Sequence, residues 1–286
     1  MKTNIKKTLT LFAVIATLTT GCQSKDEYKK LADAGNTYTT ALDQLLTTAS
    51  NIKIKATSEK LLNNHRLAAL TVEQYQKISE TDEKRLQIIN DLIQHNQLLH
   101  AYFEKLESLV NSNAPQQTKM EIDGIATNLN SIGKRLQASN LVPQPSLIST
   151  ATGFVVDSQI TGVLREEIQK RHPLILQELT LQEKLLDALG DDVQHDINMI
   201  KSLQEYRLVI RPLTKTEPIS NEDGWIQIRQ QILTMQRRSA DFKNASNALG
   251  NFKTIYQAYL SGNGNKNDLN RFAKQINTLL ASVQTN

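Results

Sequence analysis

Apolar residues recur three and four positions apart along most of the chain, the spacing that gathers side chains on one face of a helix at 3.6 residues per turn. Leu31, Ala34, Tyr38, Ala41, Leu45, Ala49 and Ile52 form the first stripe and predict a long helix from Asp26 to about Asn64, with Gly35-Asn36 weakening its start. A second helix carries Leu86, Ile89, Ile93, Leu99, Phe103, Leu106 and Val110; it begins near Thr71, has a candidate break at Ser79 to Asp82, and stops at Asn113-Ala114-Pro115. Asn96 falls inside that stripe, where a buried amide can fix helix register. The third, shorter helix has Ile122, Ile125, Leu129, Ile132 and Leu136 at coiled-coil-like spacing.

Leu141-Val142-Pro143-Gln144-Pro145 reads as a linker, because two prolines remove backbone donors and push the preceding residues out of helical geometry. Beyond it Ser146 caps a fourth helix to about Arg171, and Pro173 opens a fifth carrying Leu179, Leu186, Leu189, Val193, Ile197, Ile200 and Leu203. Pro212 and Pro218 bracket a polar loop, and Ser220 with Asp223 makes a capping-box-like start to a sixth helix. That helix holds the longest stripe, from Trp225, Ile228 and Ile232 through Phe242, Phe252, Tyr256 and Tyr259. Ser261-Gly262-Asn263-Gly264-Asn265 is a turn by composition, and Leu269, Phe272, Ile276, Leu279 and Val283 mark the last helix.

No segment alternates apolar and polar residues over a strand's length, and Gly and Pro number only 11 and 6, so the fold class is all-α. The expected architecture is an elongated antiparallel helical bundle with coiled-coil-like seams. The third and last helices share one spacing, which suggests two related three-helix units at 26–139 and 173–284; coincidence between bundle helices explains it equally well. The predicted organisation is a leader at 1–21, a tether at 22–25, an N-terminal bundle at 26–140, the linker at 141–145 and a C-terminal bundle at 146–286.

The first 22 residues do not follow the helical pattern. Lys2, Lys6 and Lys7 precede the apolar run Leu9 to Leu18, and Leu18-Thr19-Thr20-Gly21-Cys22 closes it with small residues ahead of the sole cysteine. The run is about half the roughly twenty residues a membrane span needs. LTTGC resembles the lipobox of bacterial lipoproteins, with Thr19 where that family usually has Leu and Leu18 one place further back. The resemblance covers these residues alone. It implies cleavage between Gly21 and Cys22, a thioether-linked diacylglycerol and an amide-linked acyl chain such as palmitate on Cys22, and sorting to the outer membrane by Gln23.

Loss of Met1 to Gly21 takes away three lysines and no acid, leaving 30 basic against 29 acidic side chains. The high isoelectric point therefore belongs to the leader and gives no support to a nucleic-acid partner. One cysteine permits no intramolecular disulfide, so stability must come from packing.

Candidate chemistry is sparse. His65, His95, His100, His172 and His195 include no pair three or four apart, and the Asp192-x-x-His195 element lacks the second copy a di-metal bundle needs. These histidines are expected to be solvated or partner-bonded surface groups, and Glu166-Glu167 and Asp191-Asp192 solvated faces. Gly-Asn-Gly-Asn at 262–265 lacks the lysine and flanking strand of a phosphate loop. No catalytic residue, metal ligand or cofactor is expected. Trp225, Phe242, Phe252, Tyr256 and Tyr259 are the candidate partner or ligand face, with core packing the simpler account of their spacing.

The expected function is a lipid-anchored scaffold or partner-binding bundle facing the periplasm or cell surface, not an enzyme, touching the membrane through its lipid and an envelope protein through its helices. Alternatives are a sensor or solute-binding bundle with an inter-helix cavity, and an immunity or phage-exclusion lipoprotein. The lipid assignment predicts that Cys22→Ser shifts the protein from the membrane to the soluble envelope fraction. Fractionation unchanged from wild type would show that Cys22 is not the anchor.

Overall fold

The structure is a computed structural model that describes residues 25–67, 69–111, 115–139, 162–235 and 239–284, and all regular secondary structure among them is helical. Gly21, Cys22, Gln23, the 141–145 linker and the Ser146 cap lie outside these residues. Helix α1 spans Lys25–Leu67, α2 Val72–Asn111, α3 Pro115–Gln137 and α4 Gly162–Gln204. The α4 helix continues through a π-helical turn, Glu205–Ile210, into a last α-turn, Arg211–Leu213; then come α5 (Glu222–Thr234), α6 (Ser239–Leu260) and α7 (Lys266–Gln284).

Side-chain pairs give the directions. Asn96 on α2 meets Thr39 and Asp43 on α1, and Lys29 meets Glu107, so α1 and α2 form an antiparallel hairpin. On α3, Arg135 binds Asp91 and Glu121 meets Lys105, so α3 returns along α2. Lys53 with Asp196 and Glu59 with Gln204 set α4 parallel to α1. Ser246 donates to the Glu183 carbonyl, while Phe242 lies against Gly190, so α6 runs back down α4; α7 turns antiparallel onto α6. One hydrophobic core unites α1, α2, α3, α4, α6 and α7, drawing helices from both sides of the linker into the same packed interior.

The first, third and last stripes are buried much as their periodicity predicts: Leu31 to Ile52 on α1, Leu129 and Leu136 on α3, Phe272 and Ile276 on α7. Gly35 does not weaken α1, because the Phe103 ring packs where a side chain would stand; a Cβ there would lie 2.7 Å from a ring carbon. No break occurs at Ser79 to Asp82, where the Thr81 hydroxyl bonds back to Lys77 within an unbroken helix. The α2 start is a reciprocal capping box, with the Gln74 amide on the Thr71 hydroxyl at 3.2 Å and the Thr71 amide on the Gln74 side chain at 3.0 Å.

Four expectations need correction. The fourth and fifth helices are one, because α4 runs straight through Pro173. Proline costs the carbonyl four residues earlier its donor, but Gln169 is exposed to water, and Ile168, His172, Ile175 and Leu176 are buried around the defect. The sixth helix is two, α5 ending at Thr234 and α6 starting at Ser239, so Trp225 and Ile232 share no stripe with Phe242. The α5 N-cap is Asn221, whose side chain accepts from the Gly224 amide at 2.9 Å, in place of Ser220. Pro212 belongs to the last turn of the α4 extension and not to a loop.

Helix α5 is peripheral: Ile232 is buried, yet it lies outside the main core cluster. Leu129→Asp is therefore expected to unfold the bundle cooperatively, since it places an unpaired charge in the core. Ile232→Asp should detach α5 and spare the remaining helicity. Circular dichroism melts distinguish them; equal loss of helicity would show that α5 is part of the cooperative core.

Candidate functional site

Four of the five aromatic candidates are core residues. Phe242, Phe252, Tyr256 and Tyr259 are fully buried on α6. Phe252 meets Phe103 edge-on at 5.3 Å and stacks on Phe272 at 5.2 Å, so the cluster joins α2, α6 and α7 and presents no surface to a partner. Trp225 is half-buried on α5, where its indole N–H donates to the Val209 carbonyl at 3.3 Å. It clamps α5 onto the π-turn.

The core also holds polar groups: Asn96, in the buried stripe where its register placed it, and His95, His172 and Glu167, which were expected at the surface. His95 is fully buried, with Nε2 2.9 Å from Oε2 of the equally buried Glu178. One residue on, Asn96 donates to the Thr39 carbonyl at 2.6 Å and to Asp43 Oδ1 at 2.7 Å, and accepts from Gln182 at 3.1 Å. These side chains bind α1, α2 and α4 at one level of the bundle. The third helix approaches closely there, since a Cβ on Gly133 would fall 2.2 Å from Glu178 Oε2. Glu167 is likewise buried, and desolvation pushes its carboxyl above the usual range, against the pull of Lys170 and Lys119. Burial lowers the His172 imidazole.

The signal for these residues was their register. His95 and Asn96 lie between Leu92 and Leu99, and Glu178 and Gln182 between Ile175 and Leu185, all at seam positions. The pairing itself, 83 residues apart for His95 and Glu178, is written only in the packing.

Toward the far end from Lys25, polar groups again bridge α1 and α4. Lys53 Nζ lies 3.0 and 3.1 Å from the two Asp196 oxygens, and desolvation raises the Asp196 carboxyl despite this pairing. Glu59 takes bonds from Gln204 at 2.8 Å and from Arg207 at 2.5 and 3.2 Å. Burial alone would raise the Glu59 carboxyl, but the Arg207 and Gln204 bonds hold it below its ordinary value. Beside this network α1, α4 and α5 enclose a cleft of about 570 Å³. Ile52, Ile197, Ile200 and Ile232 form its floor, and Lys55 and Gln231 stand at its rim.

Among the described residues no three His, Cys, Asp or Glu side chains gather as a metal site, and no helix is long and apolar enough to cross a membrane. The chain matches no protein-family model, no curated protein and no solved structure.

Gly133→Ala should force Glu178 away from His95 and destabilise the fold by about 1–3 kcal/mol, the cost of a buried polar group losing its partner. Denaturant unfolding measures it; a midpoint equal to wild type would show that the pair tolerates displacement. The lowered Glu59 carboxyl contributes stability that is present above its unfolded value near 4.5 and is lost as pH falls through the lower folded value. Asp196 and Glu167, both raised, act in the opposite sense. Glu59→Gln should therefore melt with a smaller acid-induced drop than wild type below about pH 4.5. Parallel curves for the two proteins would assign the acid limb elsewhere.

Proposed function

We propose that this chain is a lipid-anchored bundle of the bacterial cell envelope, held at the outer membrane through Cys22, that works as a non-enzymatic scaffold or partner-binding module. The observation that carries the reading is the polarity of the molecule relative to its anchor. Only residues 23 and 24 stand between Cys22 and the start of α1, and α1 then continues for 43 residues, about 64 Å at 1.5 Å per residue. A helix rooted so close to acyl chains carries its far end well clear of the bilayer surface.

That far end is where apolar side chains are left uncovered. Of the ten exposed large hydrophobic residues among the described residues, nine lie there: Ile54 and Leu62 on α1, Val72 and Tyr75 on α2, Tyr206, Ile210 and Leu213 past α4, and Ile226 and Leu233 on α5. The tenth, Met120, is near the anchored end. Exposed apolar residues gathered at one end favour a protein contact over a solvated surface. The residues buried at mid-bundle pair with one another, which supports a register lock ahead of catalysis.

A photo-crosslinking residue in place of Tyr75 is expected to give a discrete adduct in intact cells, with none from the same residue in place of Met120. Equal labelling at both positions, or none at either, would remove the distal end as the working surface.

A further inference from the structure

We infer that α5 is a latch over a helix seat: it leaves the folded bundle as a unit and uncovers Ile52, Ile197, Ile200 and Val209, where an amphipathic helix of a protein partner docks in its place. This deepens the partner-binding reading and rests on it for the partner. Opening is tested on the chain alone, so it and the Tyr75 adduct can fail independently.

The hold on α5 is slight. Of its thirteen residues only Ile232 is buried, with Trp225 and Ile228 half-buried on the same side. Ile232 itself lies outside the core cluster that unites the other helices. Among the described residues, the one hydrogen bond from α5 to another element is that of the Trp225 indole to the Val209 carbonyl, at 3.3 Å longer than most N–H···O bonds. Residues 214–221, which tether α5 to the α4 extension, are exposed apart from half-buried Ile219. Segments with so few buried apolar groups open at a fraction of the global unfolding free energy. A 13-residue helix is marginal by itself in water, so leaving the bundle and losing helicity are one event.

What α5 covers has the form of a helix seat. Ile52, Ile197 and Ile200 face Ile228 and Ile232 across the cleft, and Val209 lies at the Trp225 clamp. All four seat residues are 1–6 % exposed, so with α5 in place they offer no surface to a ligand. With α5 away they form an apolar strip along α1 and α4. The present occupant defines the class of its replacement. Trp225, Ile228, Ile232 and Met235 are spaced three, four and three, the pattern by which amphipathic helices enter apolar grooves. The seat also includes part of the π-helical turn Glu205–Ile210, and such turns concentrate at functional sites. The latch sets the partner's apparent affinity, because the seat is available only in the open fraction.

Two experiments use the full chain with Cys22→Ser, which removes its sole thiol. In the first, Val209→Cys or Ile175→Cys is added singly and labelled with a small thiol reagent. Ile175 is fully buried toward the other end of α4 and reports global unfolding. Val209→Cys should be labelled at least about a hundredfold faster than Ile175→Cys. Adding Ile232→Ala should speed the Val209→Cys reaction at least about tenfold more. If Val209→Cys loses helicity, Ile197→Cys takes its place. In the second, a fluorescent peptide of residues 221–235 is titrated into the Ile232→Asp chain, or into Ile232→Ala if the Asp variant unfolds. It should bind one per chain, while the same peptide carrying Ile232→Asp, or the chain with its own Ile232 intact, should bind at least about tenfold weaker. Equal labelling of the two cysteines, a rate indifferent to Ile232→Ala, no peptide binding, or undiminished binding in either control would each overturn the proposal.

Discussion

Helix α1 is the surface against which the rest of the molecule buries its apolar stripes. Along its length Leu31, Tyr38, Ala41, Leu42, Leu45, Leu46 and Ala49 are almost wholly removed from water by α2, α4, α6 and α7. A 43-residue helix is far too long to hold its register by a uniform aliphatic seam, because a slide of one heptad would bury nearly the same area. The polar groups break that degeneracy. Asn96 reaches both Thr39 and Asp43 and receives Gln182, Lys53 reaches Asp196, and Glu59 reaches Gln204 and Arg207. Each pairing forms at only one register of α1 against its neighbours, and a shifted register would leave several buried polar groups without partners.

These pairs stabilise little in net terms. Taking Asp196 or Glu178 out of water costs several kcal/mol, and the paired geometry mainly repays that cost. Their value is discrimination among packings that hydrophobic burial alone would not separate. The aromatic cluster toward the Lys25 end of α1 acts differently: Phe103, Phe252 and Phe272 interlock by edge and face and contribute area as well as shape. The Lys25 end of α1 is thus tightly filled, while the far end, where α1, α2, the α4 extension and α5 meet, carries an open cleft and most of the exposed large apolar side chains among the described residues.

The chain determined its helices by short-range rules, since periodicity and caps are each written within a few turns of sequence. Stripes such as Leu31 to Ile52 were legible because burial of one face is a property of a single helix. Local rules failed where distant residues took part. Pro173 reads as a helix start, yet packing carries α4 through it; Gly35 reads as a weak point, yet Phe103 fills its space. His95 and Glu167 read as solvated, and the aromatics on α6 as a candidate face, because no local pattern tells a seam position from a surface one when the opposing helix is unknown. The pairing of His95 with Glu178, the wide turn clamped by Trp225 and the cleft above it were decided by tertiary structure alone, since each arises only where residues from separate helices share one space.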